Sequence, residues 1–440
     1  MKKVHITSLG CSKNLVDASV LSGQLQHRRY QVTAQPEDAD LIIVNTCGFI
    51  NDAKSESIQA IFEALKLKEN DKKKKIFVTG CLSQRYKDDL AGEIPEIDAI
   101  FGTEDYDRIL DTLGEEKFHA EDMYMMRDLE SPGHFAYLKI SEGCNHTCSF
   151  CAIPLIRGKH RSRSLEAIIA EARMLAARGV KELILVSQDT SYYGKDLYGK
   201  FRIIELLNRL AEEKLFNWIR TLYWYPTNFP LEFIDLMNTH ESIIPYLDMP
   251  IQHASDNVLA LMRRAEREEI LLALYEKIRS KREDITLRTT LIIGHPGEHP
   301  EDFKRLRAFI EKIRFDRVGT FIYSDEEGTR SFLLEDKIPT VTARRRQAQL
   351  MTVQRAISEE KNKGLRGTIQ TVLIDSYDAD HQYYTGRTFR DAPEIDNEVL
   401  ISAPKSDPRL IGTFQPVCID DASEYELYGS FDVNRVEFSG

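Results

Sequence analysis

The chain has 440 residues, 42% of them hydrophobic and 29% charged, with a formal net charge of −11 at pH 7. That length supplies core for two or three domains, and the negative balance argues against a generic nucleic-acid binder, whose surface must answer phosphates. No apolar run approaches the roughly 20 residues of a membrane span, and the lipoprotein-like start, Lys2-Lys3 before Leu9-Gly10-Cys11, is broken by His5 and Thr7, so a cytoplasmic protein is expected.

The first hundred residues repeat one unit: a short Val/Ile-rich run, a cysteine, then a helical segment. VHITSLG leads to Cys11, LIIVNT to Cys47 and KIFVTG to Cys81. Such runs read as buried parallel strands of an α/β domain, expected over 1–120. Ligands of parallel sheets sit outside the carboxyl ends of the strands, so three cysteines distant in sequence are expected to converge there; the alternative is three unrelated buried thiols. From 130 to 340 the alternation continues with longer units. AYLKIS, ELILVS, WIRTLYW, PYLDMP, TLRTTLIIG and VGTFIYS are strand candidates separated by helical patterns, which predicts a partial (βα)6 barrel with its site at the carboxyl face. Residues 341–363 read as a helical connector with Leu350, Val353 and Ile357 on the packed side and Arg344–Arg346 on the wet side. The last segment, 364–440, carries TIQTVLIDSY, YYTGRTF, NEVLISA and YELYGSFDV, which read as strands of a small antiparallel β-barrel with Cys418 as a core thiol.

The stretch SEGCNHTCSFC, Ser141–Cys151, places Cys144, Cys148 and Cys151 at C-x3-C-x2-C spacing. In a reduced compartment such thiols read as metal ligands rather than disulfides. A cubane iron–sulfur cluster has four irons held by cysteine thiolates. Three thiols leave one iron open to a small molecule. Zinc completed by His160 is the competing reading. Electron carriers enclose their clusters fully, which two incomplete trios do not.

CNHTCSFC resembles the signature of radical S-adenosylmethionine (SAM) enzymes. The resemblance implies that Cys144, Cys148 and Cys151 hold a 4Fe–4S cluster whose open iron binds SAM, and that Phe150 lies near the adenine. Cleavage of SAM then yields a 5′-deoxyadenosyl radical that abstracts hydrogen from an unreactive C–H bond. LIIGHPGE, with Gly294, Pro296, Gly297 and Glu298, resembles the segment that packs against SAM, and Gln188 and Asp189 stand at another strand end. The whole layout resembles the methylthiotransferases. There Cys11, Cys47 and Cys81 would hold a second 4Fe–4S cluster carrying the sulfur to be inserted; an external electron donor and a sulfur source are implied.

LGCSKNLVDAS, Leu9–Ser19, resembles the branch of that family that modifies the β-carbon of an aspartate in small-subunit ribosomal protein twelve. Ser12 stands where that branch has proline, and His295 where phenylalanine is frequent. The other branch, which modifies tRNA adenosine, is the alternative. Residues 364–440 resemble the TRAM module, which holds substrate, and contain 6 Lys and Arg against 14 Asp and Glu. That acidity suits a basic ribosomal protein better than tRNA; solubility is the plainer explanation. The cluster Arg157, Lys159, His160, Arg161 and Arg163 is expected either to meet carboxylates of SAM or substrate or to face solvent. A zinc- or iron–sulfur-containing binding protein is the reading outside enzymes.

Overall fold

The computed structural model describes residues 1–116, 123–129 and 133–431. Five parallel strands form the amino-terminal sheet, in the order Gln31–Val32, Lys3–Ser8, Leu41–Thr46, Lys75–Gly80 and Ala99–Ile100. Every residue of Leu41–Thr46 is buried, as a central parallel strand covered on both faces requires. The two-residue edge strands are too short to show any period in the sequence. Helices Ser12–His27 and Asn51–Asn70 make the crossovers. Because the strands are parallel, their carboxyl ends share one edge, and Cys11, Cys47 and Cys81 all follow directly from it. The expected end of this domain near residue 120 lies outside the described residues.

All six strands expected in the central barrel form: Phe135–Lys139, Glu182–Val186, Trp218–Thr221, Tyr246–Asp248, Thr286–Ile293 and Arg317–Ile322. They pair in parallel as two sets of three, joined by a bridge between Ile219 and Ile243. The result is an open barrel. Side chains alternate across a strand, so Leu138, Leu183, Leu185 and Leu287 turn outward. They meet Ile168, Leu206, Phe233, Leu271 and Leu306 of the surrounding helices in one buried core. Truncating one such leucine to alanine costs roughly 2–5 kcal/mol. The inward set includes Tyr137, Ile184 and Val186, which share a core with Val16 and Val20 of Ser12–His27. The amino-terminal domain is thereby seated on the open side of the barrel.

The connector is the helix Thr340–Lys363, with Leu350 and Ile357 buried. One part of its expected wet face is corrected: Arg346 is buried because it forms an ion pair with Glu298. The carboxyl-terminal barrel closes with five strands, not the four expected: Ile369–Asp378, Tyr383–Arg387, Glu398–Ser402, Glu426–Ser430 and Phe414–Ala422, in that order around the ring. The pair Glu398–Ser402 and Glu426–Ser430 runs parallel, so the ring is antiparallel everywhere except at this seam. The additional strand carries Cys418, buried as expected. Asp432 and Val433, expected in the last strand, lie outside the described residues. This module docks at the amino ends of the central strands through Arg387 with Glu182, Asp391 with Arg317 and Asp396 with Arg288. Their carboxyl ends remain for the site. Among the described residues no helix is long and apolar enough to cross a membrane.

Candidate active site between two cysteine sets

Cys11 caps the start of Ser12–His27, and the amides of that first turn face its carbonyl and thiol. Loss of water around the sulfur would raise its pKa, but Lys13, Arg157 and the amides of Asn14 and Lys13 outweigh this, so the thiol is held below its ordinary value. Cys47 and Cys81 are buried. Burial raises both, Cys81 to about 12, and each is raised further by its neighbouring thiols. The loops are closely packed. Gly10 has φ +93°, and a Cβ there would lie 2.7 Å from Cys47 Cβ and 2.8 Å from its Sγ. Only glycine reconciles that backbone with the approach of Cys47.

The second set lies on the loop after the first barrel strand. Gly143 has φ +76°, and a Cβ there would stand 2.2 Å from the Lys159 carbonyl oxygen, so the loop can fold back on itself only with glycine. The Cys144 amide donates to Gly158 O at 3.1 Å, and the Cys151 amide to Cys148 O at 3.2 Å. Burial pushes Cys144 up to about 12 and raises Cys151 strongly, with Cys148 adding to both. Tyr225 Oη lies 3.9 Å from Cys148 Sγ, and the ring stacks on His146 at 3.7 Å. His146 in turn meets Asp189 at 2.7 Å.

The donor chemistry of both sets fits thiolate-held iron–sulfur groups. Six cysteines stand in two trios, and metal binding would replace the protons of their thiols. The trios are not drawn into coordination spheres: among the described residues, no three His, Cys, Asp or Glu side chains are grouped in metal-binding geometry. The zinc alternative finds no support in His160, whose Nε2 meets Ser162 Oγ at 3.2 Å and whose ring packs on Tyr192.

Between the trios lies a buried ionic network. Lys139 Nζ reaches Asp17 Oδ1 at 2.5 Å and Glu142 Oε2 at 2.7 Å. Arg157 Nη1 donates to both oxygens of Glu142 at 2.9 Å, and its Nη2 donates to Asn14 Oδ1, Asp17 Oδ2 and Cys81 Sγ at 2.6, 3.1 and 3.4 Å. Burial alone would raise Glu142, but Lys139 and Arg157 hold its carboxyl well below the usual range. Gln188 Nε2 donates to Glu142 Oε1 at 2.8 Å, while its own Oε1 is buried without a partner. Of the sequence-predicted residues, Gln188 and Arg157 thus join this network.

Phe150 is half-buried beside Ser149 and Cys151. Gly294, Pro296 and Gly297 form the buried turn after Thr286–Ile293. Glu298 is taken up in holding that turn: Oε2 accepts from the Gly294 amide and Oε1 from Arg346, both at 2.6 Å. His295 is fully buried, and its Nε2 lies 2.8 Å from Ser331 Oγ, which donates to Ser149 Oγ at 2.7 Å. One polar chain therefore links the turn to the second cysteine loop. The basic cluster is dispersed. Arg161 pairs with Glu104 and Arg163 with Glu171, while Arg157 turns toward the first trio.

Sequence reasoning missed Asn14, Asp17, Lys139, Glu142, Tyr225 and Ser331. Lys139 carried a signal, because a charge in an otherwise buried strand needs a partner.

Three family models match in chain order: Uncharacterized protein family UPF0004 over residues 3–102, the Radical SAM superfamily over 138–310 and the TRAM domain over 367–431. These define a radical SAM enzyme of three parts. Among solved structures, the radical S-adenosylmethionine methyltransferase TsrM from Kitasatospora setae is similar at TM-score 0.55 and 13% identity, covering 84% of this chain and 78% of that one. This likeness shows the fold. Curated relatives named ribosomal protein uS12 methylthiotransferase RimO are 45% identical in Cytophaga hutchinsonii, with 97% of both chains covered, and 47% identical in Clostridioides difficile, with 98% of both covered. The chain belongs to the RimO family of radical SAM methylthiotransferases.

Proposed function

We propose that this protein adds a methylthio group to the β-carbon of an aspartate in ribosomal protein uS12, using two 4Fe–4S clusters. The observation that carries the two-cluster reading is the pair of cysteine trios after the carboxyl ends of parallel strands, the first of them contacted by the buried Arg157 network. Cys144, Cys148 and Cys151 would hold the cluster that binds SAM; Cys11, Cys47 and Cys81 would hold the other. When bound, these groups supply a carbon-centred radical and the sulfur to be inserted. The chain supplies placement. Gly294–Gly297, held by Glu298 and Arg346, and half-buried Phe150 form the wall offered to SAM. Arg157, Lys139, Asp17 and Glu142 hold the two halves in register.

The carboxyl-terminal module supports a protein substrate over tRNA. Three of its arginines are answered by carboxylates: Arg387 is buried against Glu182 and Asp375, Arg366 pairs with Asp421 and Arg409 with Asp407. Cations already answered by carboxylates are poorly suited to phosphates, whereas exposed Asp380 and Asp420 suit a basic protein. We assign the module to substrate holding, the electron donor and sulfur source to external partners, and the cytoplasm as the site of action. The test offers anaerobically reconstituted enzyme, SAM and reductant both small ribosomal subunits and unmodified bulk tRNA, with products read by mass spectrometry. A methylthio group on a uS12 aspartate is expected; one on tRNA adenosine overturns the substrate assignment.

A further inference from the structure

Arg157 follows Cys151 by six positions in the chain, yet its guanidinium crosses to the other cysteine set. It is 4% exposed. Its Nη2 carries two protons and faces three acceptors, one of them Cys81 Sγ at 3.4 Å, while Nη1 is held by both oxygens of Glu142. With both terminal nitrogens held by separate partners, the planar guanidinium has little freedom, so its approach to sulfur is imposed by the network. Asn14 Oδ1, which Arg157 also holds, lies 3.7 Å from the same sulfur. No other cation is placed in hydrogen-bond contact with a cysteine of the first set among the described residues.

Resting on the two-cluster reading above, we propose that Arg157 sets the reduction potential of the cluster held by Cys11, Cys47 and Cys81, by donating a hydrogen bond to the Cys81 sulfur. A donor on a ligating sulfur stabilises the extra negative charge of the reduced cluster and raises its potential. The network makes this effect local. Two cations, Arg157 and Lys139, stand against two anions, Asp17 and Glu142. Their fields largely cancel at a distance, whereas the contact with sulfur does not. Arg157 is therefore a positioning and tuning residue for the sulfur-bearing site, although it belongs by sequence to the SAM-binding loop.

The test is an electron paramagnetic resonance redox titration of reconstituted full-length enzyme, comparing wild type, Arg157→Lys and Arg157→Gln. Added SAM marks the cluster that binds it; the SAM-silent signal reports the other. The midpoint of the SAM-silent signal is expected to fall in Arg157→Lys, which keeps charge but loses the fork, and further in Arg157→Gln, with the SAM-responsive midpoint unmoved. If Arg157→Gln does not load iron, Arg157→Lys decides. An unmoved SAM-silent midpoint at about eight irons per chain overturns this inference alone. About four irons in wild type, with no SAM-silent signal, overturns the two-cluster reading and this inference with it.

Discussion

Glu142 shows how much a single residue in this site depends on its surroundings. It is buried, accepts from Lys139, Arg157 and Gln188, and its folded pKa lies below the ordinary value of about 4.3. A depressed carboxyl contributes stability that is present above its unfolded pKa and lost as pH falls toward its folded one. Acid lability beginning near pH 4 is therefore expected. Glu142→Gln should remove that component and leave Lys139 and Arg157 under-compensated, costing roughly 3–5 kcal/mol at neutral pH. Melting curves from pH 7 to pH 3 check both: the variant is expected to melt lower at pH 7 and to lose less on acidification. The six cysteines could be singled out in the sequence by their spacing and strand-end placement. The turn of Arg157 toward the first set was not legible there, because its partners Asn14 and Asp17 lie 143 and 140 positions away. His295 becomes intelligible only through Ser331, a residue with no motif of its own.

Strands announce themselves by β-branched runs and turn residues, so all six central strands could be read in advance. Phe414–Ala422 escaped for opposite reasons. Pro416 argues against a strand, and Asp420 and Asp421 break the apolar alternation, yet Pro416 lies opposite Thr371 in the closed ring. At the junction of Lys3–Ser8 with the following helix, backbone and site are one problem. A methyl group at Gly10 would press on Cys47 itself. Gly10→Ala is therefore expected to lower iron from about eight toward about four per chain while reductive SAM cleavage continues. Iron analysis alongside 5′-deoxyadenosine formation checks this; full iron content would show that the loop can move aside.

Across the whole molecule, the parallel sheets make both cysteine sets possible, and the network from Asp17 to Gln188 joins them. The acidic module docks at the amino ends of the barrel strands, leaving their carboxyl ends to the chemistry. Architecture and class were legible because each part has its own period and motif; the seating of the parts was not, since it rests on long-range ion pairs such as Arg387 with Glu182. The most direct test of the two-set account compares Cys81→Ala with Cys144→Ala under anaerobic, reducing conditions, with small ribosomal subunits as substrate. Mass spectrometry reads 5′-deoxyadenosine and methylthiolated uS12 together. Cys81→Ala is expected to form 5′-deoxyadenosine without methylthiolated product, and Cys144→Ala to form neither. Methylthiolated uS12 from Cys81→Ala at the wild-type rate would contradict the division of labour between the two sets.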